Sequence, residues 1–186
     1  MAFSGVAAAA HYLGYTKRRA LALGVFAGAF ALIPDVDILY AFLGAFSGFD
    51  GVWGTVDAFW ESSTVTHRAA THSLVVGGIS AVGFYLVART LISFEYEEES
   101  SVLHSLGGAA LLGGLTVVVL VSSGPVVTAT FVVFALAGVL LTAAGVSLNG
   151  ISGTQLVSLT RRELLAVASA GLLSHPFGDL FTGKPP

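Results

Sequence analysis

The sequence predicts an all-α membrane protein: a polytopic helical bundle of about four to five spans plus short or re-entrant helices, in a single integral membrane domain over residues 1–186. Three observations predict it. Hydrophobic residues make up 55% of the chain and charged residues only 10%, against about 25% in an ordinary soluble domain. Mean hydropathy is +0.86. Residues 100–160 contain no Lys, Arg, Asp or Glu, a stretch long enough for two crossings at about 20 apolar residues each.

The same composition excludes several classes. So few charged side chains cannot clothe a water-soluble surface, which argues against a soluble enzyme and a disordered chain. Net charge is −3, so there is no basic field to hold nucleic acid. Cysteine is absent, which removes disulfides, thiolate metal sites and a cysteine nucleophile. The 23 glycines have no collagen-like period and are scattered through apolar runs, as in packed membrane helices.

The elements follow in order. The first fifteen residues are apolar and Ala-rich, too short to cross alone, and lack the basic start of a cleaved signal peptide. Residues 20–34 form a short span ending at Ile33-Pro34-Asp35. Asp50 to Thr66 is one of the longest polar segments, with Trp53, Phe59 and Trp60 as an interfacial aromatic belt. Residues 69–88 are a clear span, extendable to Phe94, and Glu95 to Glu99 a solvated acidic loop. Spans near 103–122 and 126–148 are joined by the turn Ser122-Ser123-Gly124-Pro125. A last short span, 164–178, ends at His175-Pro176. Gly77-Gly78, Gly107-Gly108 and Gly113-Gly114 lie in no strand–loop–helix context and read as packing glycines, not phosphate cradles. Under simple alternation Lys17, Arg18, Arg19, Arg89, Arg161 and Arg162 fall on one side, with Arg68 and Lys184 on the other. The more basic side is cytoplasmic by the positive-inside rule.

The few polar side chains are not spread evenly. Asp35 and Asp37 close the 20–34 span, His67 and His72 open the 69–88 span, and His175 and Asp179 close the last one. Alternation puts all three pairs at one membrane face, opposite the basic loops. His175 and Asp179 are i and i+4, on one face if the helix continues; Pro176 also allows a new helix to begin at His175. Asp35 and Asp37 follow a proline, on a turn that can aim both carboxylates inward. His67 and His72 share a site only if His67 precedes the helix and His72 lies in its first turn. Thr71 or Ser73 is a candidate partner to these ligands. A lone Asp at a helix end is ordinarily a cap, and a lone His an ordinary core or interface residue. Three pairs at one face favour function, because ionisable groups in or near a bilayer are costly. Imidazole and carboxylate without thiolate suit zinc, manganese or iron. Ligands from several segments could also hold two metals, the arrangement used for phosphoester hydrolysis.

Taken together, Pro34-Asp35-Val36-Asp37, His67-Arg68-Ala69-Ala70-Thr71-His72-Ser73 and His175-Pro176-Phe177-Gly178-Asp179 with Thr182 resemble a known series. It is that of the YdjM-like membrane-bound metal-dependent hydrolases, also described as LexA-binding and inner-membrane-associated. That family shows an early His, then P-D-x-D, H-R-G-x-T-H-S and H-x-x-x-D-x-x-T, in an order that matches nearly the whole chain. Ala69 stands where the family has Gly, and Ile38 where it often has His. The family is regarded as distantly related to zinc-dependent phospholipase C and P1 nuclease.

The resemblance implies a metal site of His11, Asp35, Asp37, His67, His72, His175 and Asp179, holding one to three divalent ions, zinc first. It further implies catalytic roles for Asp35, Asp37 and Arg68: a metal bridge, a ligand or general base, and a partner for anionic charge. With the site at a membrane face, the expected activity is hydrolysis of a phosphoester in a lipid or other amphiphilic substrate, on the extracytoplasmic side of the cell membrane. The bilayer and a lipid or lipid-linked substrate are the expected partners. The alternative class is a non-catalytic membrane protein, either a metal or proton transporter or a scaffold. Against transport, the 103–148 region carries only Ser, Thr and His104 near its start as polar groups, and no internal repeat is seen.

Overall fold

The computed structural model describes residues 1–37, 51–66, 71–95, 101–147 and 159–182, with the side chains at 37, 62–66, 92–95, 101–102, 147 and 178–182 left out. Every regular element among them is helical: α1 (Ala2–Tyr12), α2 (Lys17–Leu32), a 3-10 turn (Ile33–Asp37), α3 (Gly51–Thr66), α4 (Leu74–Glu95), α5 (Ser101–Ser147) and α6 (Arg161–Thr182). Among the described residues, three helical stretches are long and apolar enough to cross a membrane: Lys17–Val36, Leu74–Leu91 and Leu103–Val146.

Local chemistry sets the boundaries. Gly14, at φ +89°, turns α1 back on α2, and the Thr16 side chain caps α2 by accepting from the Arg19 N–H. Pro34 has no backbone donor for another α-turn, and the chain tightens there into the 3-10 turn. The expected span from residue 69 starts later, at Leu74. The reason is Ser73, whose hydroxyl accepts from the Val76 N–H and whose carbonyl takes the Gly77 N–H. His72 is therefore in the turn before α4, not in its first helical turn. Gly51–Thr66, read as a polar segment, is a helix.

α5 is two arms joined at Gly124, whose φ of +80° only glycine adopts freely, followed by Pro125. The arms fold back on each other. A Cβ on Gly108 would lie 3.2 Å from the Gly83 carbonyl, while Gly138 on the second arm leaves room for the Phe84 ring. In a straight helix residues 108 and 138 would be about 45 Å apart and could not both meet adjacent residues of α4. The expected turn at Ser122–Pro125 is therefore present.

Phe30, Phe84, Phe131 and Phe134, all fully buried, form the centre, with successive ring centroids 5.5 to 6.1 Å apart. α2 and α6 run side by side in one direction. A Cβ on Gly171 would lie 2.5 Å from the Ala27 carbonyl and 2.6 Å from Phe30 Cβ, so the helices touch backbone to backbone. α4 runs the opposite way past α6, with Gly77 facing the Leu172 carbonyl, which Pro176 leaves without its helical donor.

The far end of the α2–α6 pair is locked. Thr160 and Glu163 form a reciprocal cap: the Thr160 hydroxyl accepts from the Glu163 N–H at 3.3 Å, and the Glu163 carboxylate accepts from the Thr160 N–H at 2.8 Å. Arg19 grips the same carboxylate with Nε and Nη2. Burial alone pushes the Glu163 carboxyl up, but the Arg19 guanidinium and the Thr160 donors hold it below its ordinary value. A lowered folded pKa contributes stability that is complete above the unfolded pKa and is lost as pH falls toward the folded one. Thermal stability in detergent should therefore decline below about pH 4.3. Glu163→Gln should remove roughly 1–2 kcal/mol at neutral pH and flatten that decline. An unchanged acid limb in the variant would assign the decline to other groups.

Candidate metal centre

The helix directions bring three side chains from three elements to one point. Asp35 comes from the 3-10 turn after α2, His72 from the turn before α4, and His175 from α6. The Gly171 and Gly77 contacts lie within a turn of His175 and brace it against both neighbours. Asp35 Oδ1 lies 3.2 Å from His175 Nε2 and 3.5 Å from His72 Nε2. The two Nε2 atoms are 3.0 Å apart, and the rings meet edge to face. Two imidazole nitrogens this close, both facing a carboxylate oxygen, either share a hydrogen bond or share a cation as ligands.

The triangle tests the cation. Ligands about 2.0–2.1 Å from a tetrahedral zinc stand about 3.3–3.4 Å apart, whereas neighbouring ligands of an octahedral ion at that bond length stand about 2.9 Å apart. The edges of 3.0, 3.2 and 3.5 Å lie closer to the tetrahedral spacing as a set. Two histidines and one carboxylate would supply three of the four ligands of a tetrahedral zinc, so a fourth position would be left for water or substrate. That position has a way out: the His72 side chain is 4% exposed and His175 14%, but Asp35 is 31% exposed.

Thr71, itself buried, sets the outer contact. Its Oγ1 lies 3.0 Å from His72 Nδ1. With Nδ1–H donated to that hydroxyl, Nε2 keeps its lone pair for the centre. Of the two hydroxyls considered from sequence, Ser73 is occupied as the α4 cap and Thr71 is the histidine's partner. Thr71→Val should lower zinc affinity about 10–100-fold, the cost of losing an outer partner, and Thr71→Ser should restore most of it. Equal affinities in Val and Ser variants, measured by competition with a chelating dye, would remove Thr71 from the account.

The remaining expected ligands divide three ways. His11 is not brought to the cluster. It is exposed in the last turn of α1, with Nδ1 3.4 Å from the Tyr15 carbonyl. The reversal at Gly14 sets α1 antiparallel to α2, with Phe3 against Gly24 and Gly28, so His11 lies beside the start of α2. Asp35 is eighteen residues beyond Lys17, about 27 Å along the helix. His67 and Arg68 lie outside the described residues. Asp37 ends the 3-10 turn, and α6 continues unbroken through Pro176, so Asp179 falls one turn after His175; the side chains of both lie outside the described residues. Among the described residues, Asp35, His72 and His175 are the group whose ligand atoms gather, all within 4.8 Å.

The Arg19–Glu163 lock at the opposite end was not anticipated. The cap it is built on, though not the pairing with Arg19, was signalled by Thr160-Arg161-Arg162-Glu163, a capping box preceding an apolar run. Lys17, Arg18, Arg19, Arg161 and Arg162 lie at that end of the α2–α6 pair, away from the His/Asp cluster. Comparison with family models, curated proteins and solved structures gives no match for this chain.

Proposed function

We propose that the chain is a membrane-embedded, metal-dependent hydrolase that cleaves a phosphoester of a lipid or other amphiphilic substrate. The observation that carries the reading is the Asp35–His72–His175 triangle, with near-tetrahedral edges and an exposed carboxylate side. The motif series that resembles the YdjM-like hydrolases supports it independently. A divalent cation held there, zinc before manganese or iron, supplies a Lewis acid and lowers the pKa of coordinated water toward neutrality.

The chain's own groups do the rest. Asp35 contributes the negative charge that two neutral imidazoles cannot. His72 and His175 present Nε2 lone pairs, with the His72 tautomer set by Thr71. Asp37 accepts a proton as general base, and Arg68 offsets anionic charge on the substrate and in the transition state. By the motif resemblance, His67, Asp37 and Asp179 would add ligands for a second or third ion.

In this reading α2, α4 and the two arms of α5 cross the cell membrane, and residues 164–178 of α6 supply a shorter fifth crossing. The basic end faces the cytoplasm, and the metal centre lies on the extracytoplasmic side. A phosphodiester and phosphomonoester lipid panel tests the activity, using zinc-loaded protein in lipid nanodiscs. Turnover that is lost on chelation, regained with zinc and absent in Asp35→Asn supports the reading. Zinc binding without turnover, accompanied by zinc uptake into proteoliposomes, would replace it with the transporter alternative.

A further inference from the structure

We infer that α3 is an interfacial anchor whose Val52–Trp53–Val56–Trp60 face docks on the lipid surface at the metal-centre end of the bundle, with the helix lying along the membrane plane. The inference rests on the membrane reading of the bundle, not on the hydrolase reading.

The argument starts from length. Sixteen residues make a helix about 24 Å long, short of the ~30 Å hydrocarbon core. Its location follows from its neighbours in the chain. Thr66 is five residues before Thr71, beside His72, so their Cα atoms are at most about 18 Å apart. The end of α3 is thus tethered to the metal-centre end.

The face is then decided by periodicity and exposure. Val52, Trp53, Val56 and Trp60 share one side of the helix and are 74%, 80%, 38% and 63% exposed. Gly54, Thr55 and Ala58, smaller and partly buried, occupy the other side. Asp57 and Glu61, both exposed, border the tryptophan edge. An apolar face bounded by carboxylates suits a boundary between acyl chains and water. Tryptophan, with an apolar body and one N–H, concentrates at that boundary.

Two further points select lipid over a second copy of the chain. An antiparallel two-fold contact through this face would bring each copy's Asp57 and Glu61 edge toward its mate's, with like charges opposed. The apolar exposure also continues beyond α3: Val117, Val118 and Val121 on α5, approaching the Gly124 turn, are exposed as well.

The chain has two tryptophans, and both are on this face. Intrinsic tryptophan fluorescence of the full chain therefore reports on α3 alone. The protein would be placed in phosphatidylcholine vesicles, with the lipid plain, brominated near the headgroup or brominated near the acyl-chain terminus. Aqueous iodide would be titrated in parallel. An interfacial face should lose most emission to the headgroup-proximal bromines, and Trp53→Phe and Trp60→Phe should each keep that ranking. Three results would overturn the inference: no loss with either brominated lipid but strong iodide quenching (a face in water), greatest loss with terminal bromines (a helix crossing the core), and protection from all quenchers (a face covered by protein). Quenching confined to one tryptophan would overturn the shared face.

Discussion

Replacing Asp35 by asparagine is expected to lower zinc affinity by more than about 100-fold while leaving the helix packing intact. Asparagine keeps the shape and removes the charge. A doubly charged cation held in the wild-type triangle would meet one carboxylate and two imidazole lone pairs, leaving one net positive charge. The variant leaves two in a largely buried site, where His72 and His175 are 4% and 14% exposed. An uncompensated buried charge costs several kcal/mol, and each 1.4 kcal/mol is about tenfold in affinity. Competition titration against a chelator of known strength would read the change. Far-UV circular dichroism should stay unaltered. An affinity within a few-fold of wild type would place the cation elsewhere.

The second large effect is expected far from any ligand atom in chemistry but close to one in space. Gly171→Ala should lower stability by about 1–3 kcal/mol, the usual cost of overpacking. The new methyl would stand 2.5 Å from the Ala27 carbonyl oxygen and 2.9 Å from the Ala31 nitrogen. Both are backbone atoms, so neither can swing aside, and α6 must move off α2. His175 is one turn further along α6, so the 3.2 Å approach to Asp35 should open with it. Zinc affinity and thermal stability should fall together. Gly113→Ala is the control, because a methyl there meets nothing within 4 Å. Equal unfolding temperatures for the two variants in detergent would refute the close α2–α6 contact.

The elements most legible in the sequence were those set by local chemistry. The reversal in α5 was marked by Gly124-Pro125 within the uncharged stretch 100–160, and the end of α2 by Pro34. Asp35, His72 and His175 stood out because an apolar chain has few polar side chains to distribute. The start of α4 was placed five residues early, because apolar Ala69 and Ala70 precede the Ser73 cap that starts the helix. His11 was carried by motif order, and motif order holds no information on whether α1 folds toward or away from the ligands. The turn at Gly14 decides that, and it takes His11 to the basic end. The Arg19–Glu163 pair spans 144 residues and depends on α2 and α6 running in the same direction, a tertiary fact with no local signal. α3 was hidden for another reason: Asp57, Glu61 and small polar residues made a surface helix read as a polar segment.

The central claim is that Asp35, His72 and His175 hold a divalent cation. Elemental analysis of the purified full chain, loaded with zinc and then desalted, tests it most directly. It should be run beside His11→Ala, His72→Ala and His175→Ala variants. The account predicts at least one zinc per chain in the wild type and in His11→Ala, and loss of that zinc in both of the other variants. Undiminished zinc in either His72→Ala or His175→Ala, or a wild-type chain that retains none, would contradict it.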